Sequence, residues 1–238
     1  MIIIQTNSLK AAYCQALNRL FADGRDHGDP ELYRESVGVI EISPSFSQMN
    51  DPFDFLFEDS PEAFASIEPG DELPPLTIDI ESLDDPFPYH EYFPRLSAEI
   101  VGKELTYWNQ QLFKQKKLKE LIDYLKANPL SKRAIILFWE DAYRDLSKGA
   151  VCEIAIVFRM KDDALEMHTH MRANNATFLL FMDMRILMGV QAFVARQLGV
   201  SVGSYIHFID SLHIYEAERY HAVQQLKFNA RSPLWDIY

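Results

Sequence analysis

The chain has 238 residues, 48% of them hydrophobic, enough to bury one sizeable core without help from disulfides or metals. Its formal charge of -12 argues against a general nucleic-acid binder or a membrane-surface protein, because neither polyphosphate nor anionic lipid attracts a net anion. The two cysteines, Cys14 and Cys152, lie far apart and outside any CxxC spacing, which disfavours a disulfide framework and a structural zinc and points to a reducing, cytoplasmic setting.

Residues 2–4 predict a short strand. The start lacks a basic flank and no later apolar run nears the length of a bilayer span, so a soluble, unprocessed protein is expected. Residues 9–22 predict a helix with Ala12, Ala16, Leu17 and Leu20 as its apolar positions and Asp23-Gly24 as its stop. After a charged loop over 25–35 and a strand over 37–42, the segment 43–94 is crowded with Pro, Asp, Glu and Phe and has no clean period. It reads as a loop-rich acidic layer that packs on the core and covers a site, with a disordered insert as the alternative. A long helix is predicted over 103–127, with Leu118, Leu121, Ile122 and Leu125 on one face, ended by Asn128-Pro129.

Residues 134–139 predict an apolar, buried strand. Residues 152–159 alternate, placing Cys152, Ile154, Ile156 and Phe158 on one side, and Lys161-Asp162-Asp163 turns the chain into a second alternating strand. In that strand Leu165, Met167, Thr169 and Met171 oppose Glu166, His168, His170 and Arg172. Residues 176–198 are hydrophobic nearly all round, which predicts a central buried helix stopped at Gly199, with Asp183 and Arg185 inside it. A final strand over 204–209 runs into Ser211-Leu212-His213-Ile214-Tyr215. No repeat interrupts this order, so residues 1–238 read as one domain.

A free cysteine taken alone is more often a small buried hydrophobe than a nucleophile. Cys152 stands out by its company: Arg133, Arg172, His213 and Tyr215 lie on or beside apolar elements, where unpaired burial is expensive, and a neighbouring arginine favours the reactive thiolate. The bland alternatives are a satisfied core histidine at 213, packing at Tyr215 and solvated charges at Arg34 and Lys132. His168 and His170 share a strand face but lack a third ligand, so no metal is expected.

Over roughly the C-terminal half the sequence resembles the thymidylate synthases. Asn128-Pro129-Leu130-Ser131-Lys132-Arg133-Ala134-Ile135-Ile136 is similar to their paired-arginine segment, with Lys132 in place of the first arginine. Ala150-Val151-Cys152-Glu153 falls where the family has its nucleophile, without the usual Pro before it and with Glu153 after it. Met171-Arg172-Ala173-Asn174-Asn175 resembles the family's Arg-Ser-x-Asp segment, and residues 203–215 resemble the strand ending in its His-x-Tyr pair. Upstream, Arg34-Glu35-Ser36-Val37-Gly38 resembles the mobile phosphate loop and Tyr92-Phe93-Pro94-Arg95-Leu96 the Tyr-Gly-x-Arg-Leu segment. The family's catalytic glutamate has no recognisable motif, and Glu58, Glu62, Glu72 and Glu81 are all open.

The resemblance implies an α+β fold, a mixed sheet packed with a long central helix, and a homodimer formed through the sheet with shared active sites. It implies Cys152 as nucleophile; Arg34, Arg172 and the partner's Lys132-Arg133 segment around a nucleotide phosphate; Tyr92, His213 and Tyr215 as further substrate contacts; and Asn175 toward folate. In that chemistry a thiolate adds to carbon 6 of a pyrimidine nucleoside monophosphate, so that carbon 5 can take up the one-carbon unit of 5,10-methylenetetrahydrofolate. Asp183 occupies the position at which thymidylate synthases carry asparagine and the related cytidylate hydroxymethylases carry aspartate. A carboxyl group there can accept from cytosine's amino group, while an amide suits uracil. The expected activity is therefore 5-hydroxymethylation of CMP or dCMP. Methylation of dUMP is the alternative, and a nucleotide-binding homologue without catalysis is a third. A structural pairing of Asp183 with Arg185 or another arginine is the competing reading of that residue.

Overall fold

The computed structural model describes residues 1–7, 9–25, 31–43, 117–139 and 151–223, together with Trp108, Leu112 and Gln225. In chain order these form β1 (Ile2–Thr6), α1 (Leu9–Asp23), β2 (Leu32–Ile42), α2 (Lys117–Ala127), β3 (Ile135–Leu137), β4 (Glu153–Lys161), β5 (Ala164–Met171), β6 (Asn174–Asn175), α3 (Leu180–Leu198) and β7 (Ser201–Tyr215). The acidic segment predicted over 43–94 lies outside the described residues from 44 onward, as does the first half of the predicted long helix apart from Trp108 and Leu112.

The described strands make one mixed sheet in the order β1-β2-β7-β5-β4-β3, with β6 beside the end of β7. The 15-residue β7 is its spine, antiparallel to β2 and parallel to β5. α1 and α3 each connect a parallel pair, β1 to β2 and β5 to β7, and α3 contacts both α1 and α2. The helices therefore lie together in one layer. The periodicity of α1 and α2 explains why they bury there: Ala12, Ala16, Leu17 and Leu20, and Leu118, Leu121, Ile122 and Leu125, form single stripes that end in the core. α3 is buried on nearly every side and stops at Gly199, whose φ of 70° is the left-handed conformation that glycine adopts without a Cβ clash. Within the sheet, Gln191 of α3 points its Nε2 at the carbonyls of Leu165 (2.8 Å), Gly203 (3.0 Å) and Ser204 (3.2 Å), satisfying acceptors where the β5–β7 register breaks.

Two expectations about strands need correction. The segment 134–139 is not buried on both sides: its regular part is Ile135–Leu137 at the sheet edge, with Ile136 inward and Ile135 and Leu137 outward, the latter 60% exposed. A continuous apolar run suggested burial of both faces, whereas only one face meets the helices. With Ile3, Val37 and Phe208, these residues give the sheet an apolar outer face. The second correction concerns residues 152–159. The β4–β5 pairing shifts between Glu153 and Ala155, so the simple alternation fails at its start and Glu153, not Cys152, points into the core. Beyond that shift the hairpin runs regularly to the two-residue turn Asp162-Asp163, both at positive φ (50° and 60°) as this tight connection requires.

Candidate active site

Cys152 sits half-buried at a bend immediately before β4, and the neighbouring end of β5 holds it there. The Arg172 backbone N–H donates to the Cys152 carbonyl at 2.8 Å, and Arg172 Nε donates to the Val151 carbonyl at 2.9 Å. This clasp brings Arg172 Nη2 to 3.9 Å from Cys152 Sγ. A guanidinium at that distance stabilises the thiolate, the nucleophilic form of the side chain. Arg172 itself is exposed, as is Arg133, contrary to the expectation that buried polar groups mark the site. Its planar fork is the kind of group that pairs with an anion through two N–H bonds at once.

The bend opens on a cavity of about 350 Å³, within the size range of small-molecule sites. Cys152, Arg172, Asn175, Asp183, His213 and Tyr215 all line it, so the tertiary structure gathers six of the expected site residues from the start of β4, the end of β5, β6, α3 and β7. Asp183 enters from the first turn of α3 and is buried, with Oδ2 accepting from Asn174 Nδ2 at 3.0 Å and Oδ1 from Trp108 Nε1 at 3.4 Å. Arg185 is two residues along the same helix, and positions two apart do not face each other, which weighs against the proposed Asp183–Arg185 pair.

His213 and Tyr215 alternate along β7 with ring centroids 4.7 Å apart. His213 Nδ1 lies 3.0 Å from the Ser211 carbonyl, a bond that makes Nδ1 the protonated nitrogen and leaves Nε2 as an acceptor. That Nε2 is buried and has no hydrogen-bond partner among the described residues. Desolvation, reinforced by Glu218 and Cys152, raises the Tyr215 phenol above its ordinary value, so its hydroxyl is a proton donor at neutral pH. The pair thus offers one acceptor and one donor at the cavity wall. Asn175 is less available: its Oδ1 accepts from the backbone N–H groups of Thr177 (2.9 Å) and Phe178 (3.2 Å), and its Nδ2 donates to Glu218 at 2.9 Å and 3.0 Å.

Three expected residues are not brought to this cavity. Arg34 on β2 lies over the Tyr33 ring at 4.4 Å and donates to the Tyr33 carbonyl at 2.9 Å. Lys132 and Arg133 are exposed on the α2–β3 loop, which Ser131 stiffens by bonding Tyr124 Oη at 2.7 Å and the Arg133 N–H at 3.1 Å. Tyr92, Glu58, Glu62, Glu72 and Glu81 lie outside the described residues. Conversely, Trp108, Asn174 and Glu153 line the cavity without having been assigned a role from sequence. Glu153 was the legible one: a carboxylate beside the nucleophile in an apolar strand is expensive anywhere but the surface, and only the register shift in β4 shows that it points inward.

A family model described as thymidylate synthase matches residues 96–236, more than half of the chain and all of the cavity-forming elements. The chain belongs to the thymidylate synthase family. Among its relatives are the deoxyuridylate hydroxymethyltransferase of Bacillus phage SP01, 23% identical over 124 residues (48% of this chain, 32% of that protein), and the thymidylate synthase of Haloferax volcanii, 28% identical over 98 residues (41% and 29%). The thymidylate synthase of Streptococcus sanguinis SK36 is 24% identical over 153 residues, 62% of this chain and 54% of that one. Among solved structures, thymidylate synthase A of Bacillus subtilis aligns at a TM-score of 0.41 with 24% identity, covering 49% of this chain and 40% of its own. The chain thus spans about a third of the length of the first two relatives and about half of the third. Among the described residues no helix is long and apolar enough to cross a membrane, and no cluster of three or more His, Cys, Asp or Glu could hold a metal ion.

Proposed function

We propose that this protein transfers a one-carbon unit to carbon 5 of a pyrimidine nucleoside monophosphate, through a covalent bond from Cys152 to carbon 6, and that its substrate is CMP or dCMP and its product the 5-hydroxymethyl nucleotide. The observation that carries this reading is the convergence on one cavity of a guanidinium-flanked thiol, a buried carboxylate and an unpartnered histidine nitrogen beside a tyrosine hydroxyl. Arg172 binds the phosphate, His213 Nε2 and Tyr215 Oη take the ribose hydroxyl, and Asp183 accepts from the base. Held in this way, the nucleotide meets the thiolate in an effectively intramolecular step.

Trp108 and Leu179, the apolar part of the same lining, would hold methylenetetrahydrofolate, and Asn175 positions the segment that carries Leu179, whose N–H bonds the Asn175 carbonyl at 3.0 Å. When bound, the folate supplies the one-carbon unit. The engaged side chain of Asn175 makes it a positioning residue for that pocket rather than a direct ligand. The second reading, methylation of dUMP, draws on the relatives named thymidylate synthase, while the phage relative named for deoxyuridylate hydroxymethylation supports the hydroxymethyl outcome on a different base. Mass spectrometry of CMP, dCMP, UMP and dUMP incubated with the protein and methylenetetrahydrofolate separates the possibilities. Gain of a hydroxymethyl group on a cytidylate is expected; gain of a methyl group on dUMP would establish the second reading, and no change in any nucleotide would leave a binding protein.

The exposed Lys132-Arg133 loop, which does not line its own cavity, and the apolar outer face of the sheet support a homodimer in which each subunit lends this loop to the other's phosphate site. Mixing Arg133→Ala subunits with Cys152→Ala subunits is then expected to restore activity, because each hybrid dimer holds one site with both residues intact. Hybrids as inactive as both parents would overturn the shared site.

A further inference from the structure

Among the described residues, Glu153 is the one carboxylic acid that lines the cavity without being accounted for by substrate binding. It is fully buried, at 0% exposure, on the strand that follows the nucleophile, turned inward by the register shift of β4. One oxygen, Oε1, accepts from Thr169 Oγ1 at 2.6 Å and from the His170 N–H at 3.3 Å. The other, Oε2, is buried with no hydrogen-bond partner among the described residues. A buried carboxyl oxygen without a partner costs stability, and an apolar residue would serve better if packing were its only task.

The surroundings also decide its charge. Desolvation pushes the Glu153 carboxyl well above the usual carboxylate range, more than the Thr169 and His170 bonds can offset, and the like charge of Asp183 on α3 pushes it further. From β7 it faces Tyr205, whose phenol burial also raises, and Tyr205 Oη is bonded to His207 Nδ1 at 2.9 Å. Burial lowers His207 to about 3, so that ring stays neutral and supplies no countercharge. Two carboxyl groups therefore line one cavity in different surroundings. Asp183 accepts from Trp108 and Asn174, while Glu153 lines the same cavity with its protonated form favoured by burial and with Oε2 unpartnered among the described residues.

We propose that Glu153 is a general acid–base of this site, giving a proton to the pyrimidine through Oε2 as the Cys152 thiolate adds to carbon 6 and recovering it when the thiolate leaves. The inference rests on the covalent reading of Cys152 given above. As the Sγ–C6 bond forms, the π pair of the 5,6 double bond moves through carbon 5 onto the heteroatom at the carbon 4 side of the ring. That heteroatom takes the proton, and Glu153 becomes a carboxylate. Expulsion of the thiolate restores the double bond and the proton returns to Oε2, so atoms and charge balance without an oxidant or reductant. The His170 N–H and Thr169 hydroxyl on Oε1 stabilise the transient carboxylate.

The addition step alone can be followed without folate, because reversible addition at carbon 6 makes the carbon 5 hydrogen exchange with solvent. CMP, dCMP, UMP and dUMP are each incubated with the protein in D2O, and deuterium at carbon 5 is read by mass spectrometry. Cys152-dependent exchange is expected, slowed on the order of 100-fold in Glu153→Gln, with nucleotide affinity within about threefold of the parent. Glu153→Asp keeps an acid at the site and should recover at least about tenfold over Glu153→Gln. If Glu153→Gln exchanges as fast as the parent, or if both variants are equally slow, the acid–base role is overturned while the covalent mechanism stands. No exchange in the parent with any of the four nucleotides would instead sink the covalent reading itself.

Protonation is checked separately by melting temperature against pH. A raised folded pKa contributes stability that is fully present below the unfolded value and is lost as pH rises through the folded value. The parent's melting curve should carry this loss on the alkaline side of the ordinary carboxylate range, and Glu153→Gln should lack it. An unchanged pH profile would mean that Glu153 is ionised in the fold and holds no proton to give.

Discussion

Replacing Cys152 by alanine is expected to reduce turnover by on the order of 10⁴-fold or more, while nucleotide affinity stays within about threefold of the parent. The magnitude follows from the composition of the cavity: among its described lining residues there is no second thiol and no amine that could make the bond to carbon 6. The variant removes only Sγ from a half-buried bend whose backbone is held by Arg172, so its melting temperature should barely move. Mass spectrometry of the denatured protein provides an independent reading, since the nucleotide adduct seen on the parent should vanish. Cys14 serves as the control. It is buried on α1 among the core residues, so Cys14→Ala should lower the melting temperature slightly and leave turnover alone. Retained turnover in Cys152→Ala would end the covalent mechanism.

Asp183→Asn is expected to lower cytidylate use, raise uridylate use and shift the preference by at least roughly tenfold, the effect of losing one hydrogen bond of on the order of 1–3 kcal/mol. The carboxylate accepts from Trp108 and Asn174 and still faces the cavity, which places it to accept from cytosine's amino group as well. An amide at this position turns an N–H toward one of those acceptor sites and suits the carbonyl of uracil. The competing possibility is that Asp183 only anchors Trp108 and Asn174. In that case an amide N–H would oppose one of the two donors, lowering the melting temperature by the cost of about one buried bond and leaving base preference unchanged. Values of kcat/KM for CMP, dCMP, UMP and dUMP, with melting temperatures of both proteins, distinguish the two. A variant that prefers cytosine by the original ratio would remove the reason for placing hydroxymethylation of cytidylate above methylation of dUMP.

Much of the architecture was legible because periodicity reports burial directly. The stripes of α1 and α2, the alternation of β5 and the all-round apolar α3 each match one physical environment, and each appears in the fold as expected. The failures have one cause. In residues 134–139 and 152–159 the pattern was read as if the faces of the strands were known, but an edge position and a β-bulge are properties of pairing between strands distant in sequence.

The site divides along the same line. The resemblance to the thymidylate synthases singled out Cys152, Arg172, Asp183, His213 and Tyr215, and the presence of polar types on or beside apolar elements supported it. Only the tertiary structure decided that these five share a cavity and that Arg34, Lys132 and Arg133 of the same subunit lie outside it. It also decided the state of each group: the Ser211 carbonyl frees His213 Nε2, Arg172 closes on the Cys152 bend, and the shifted register of β4 buries Glu153 with one oxygen unsatisfied. Sequence thus determined which chemistry the chain can carry, since that depends on residue types and local periodicity. Protonation and access depend on desolvation and on partners far away along the chain, and those exist only once the sheet has paired.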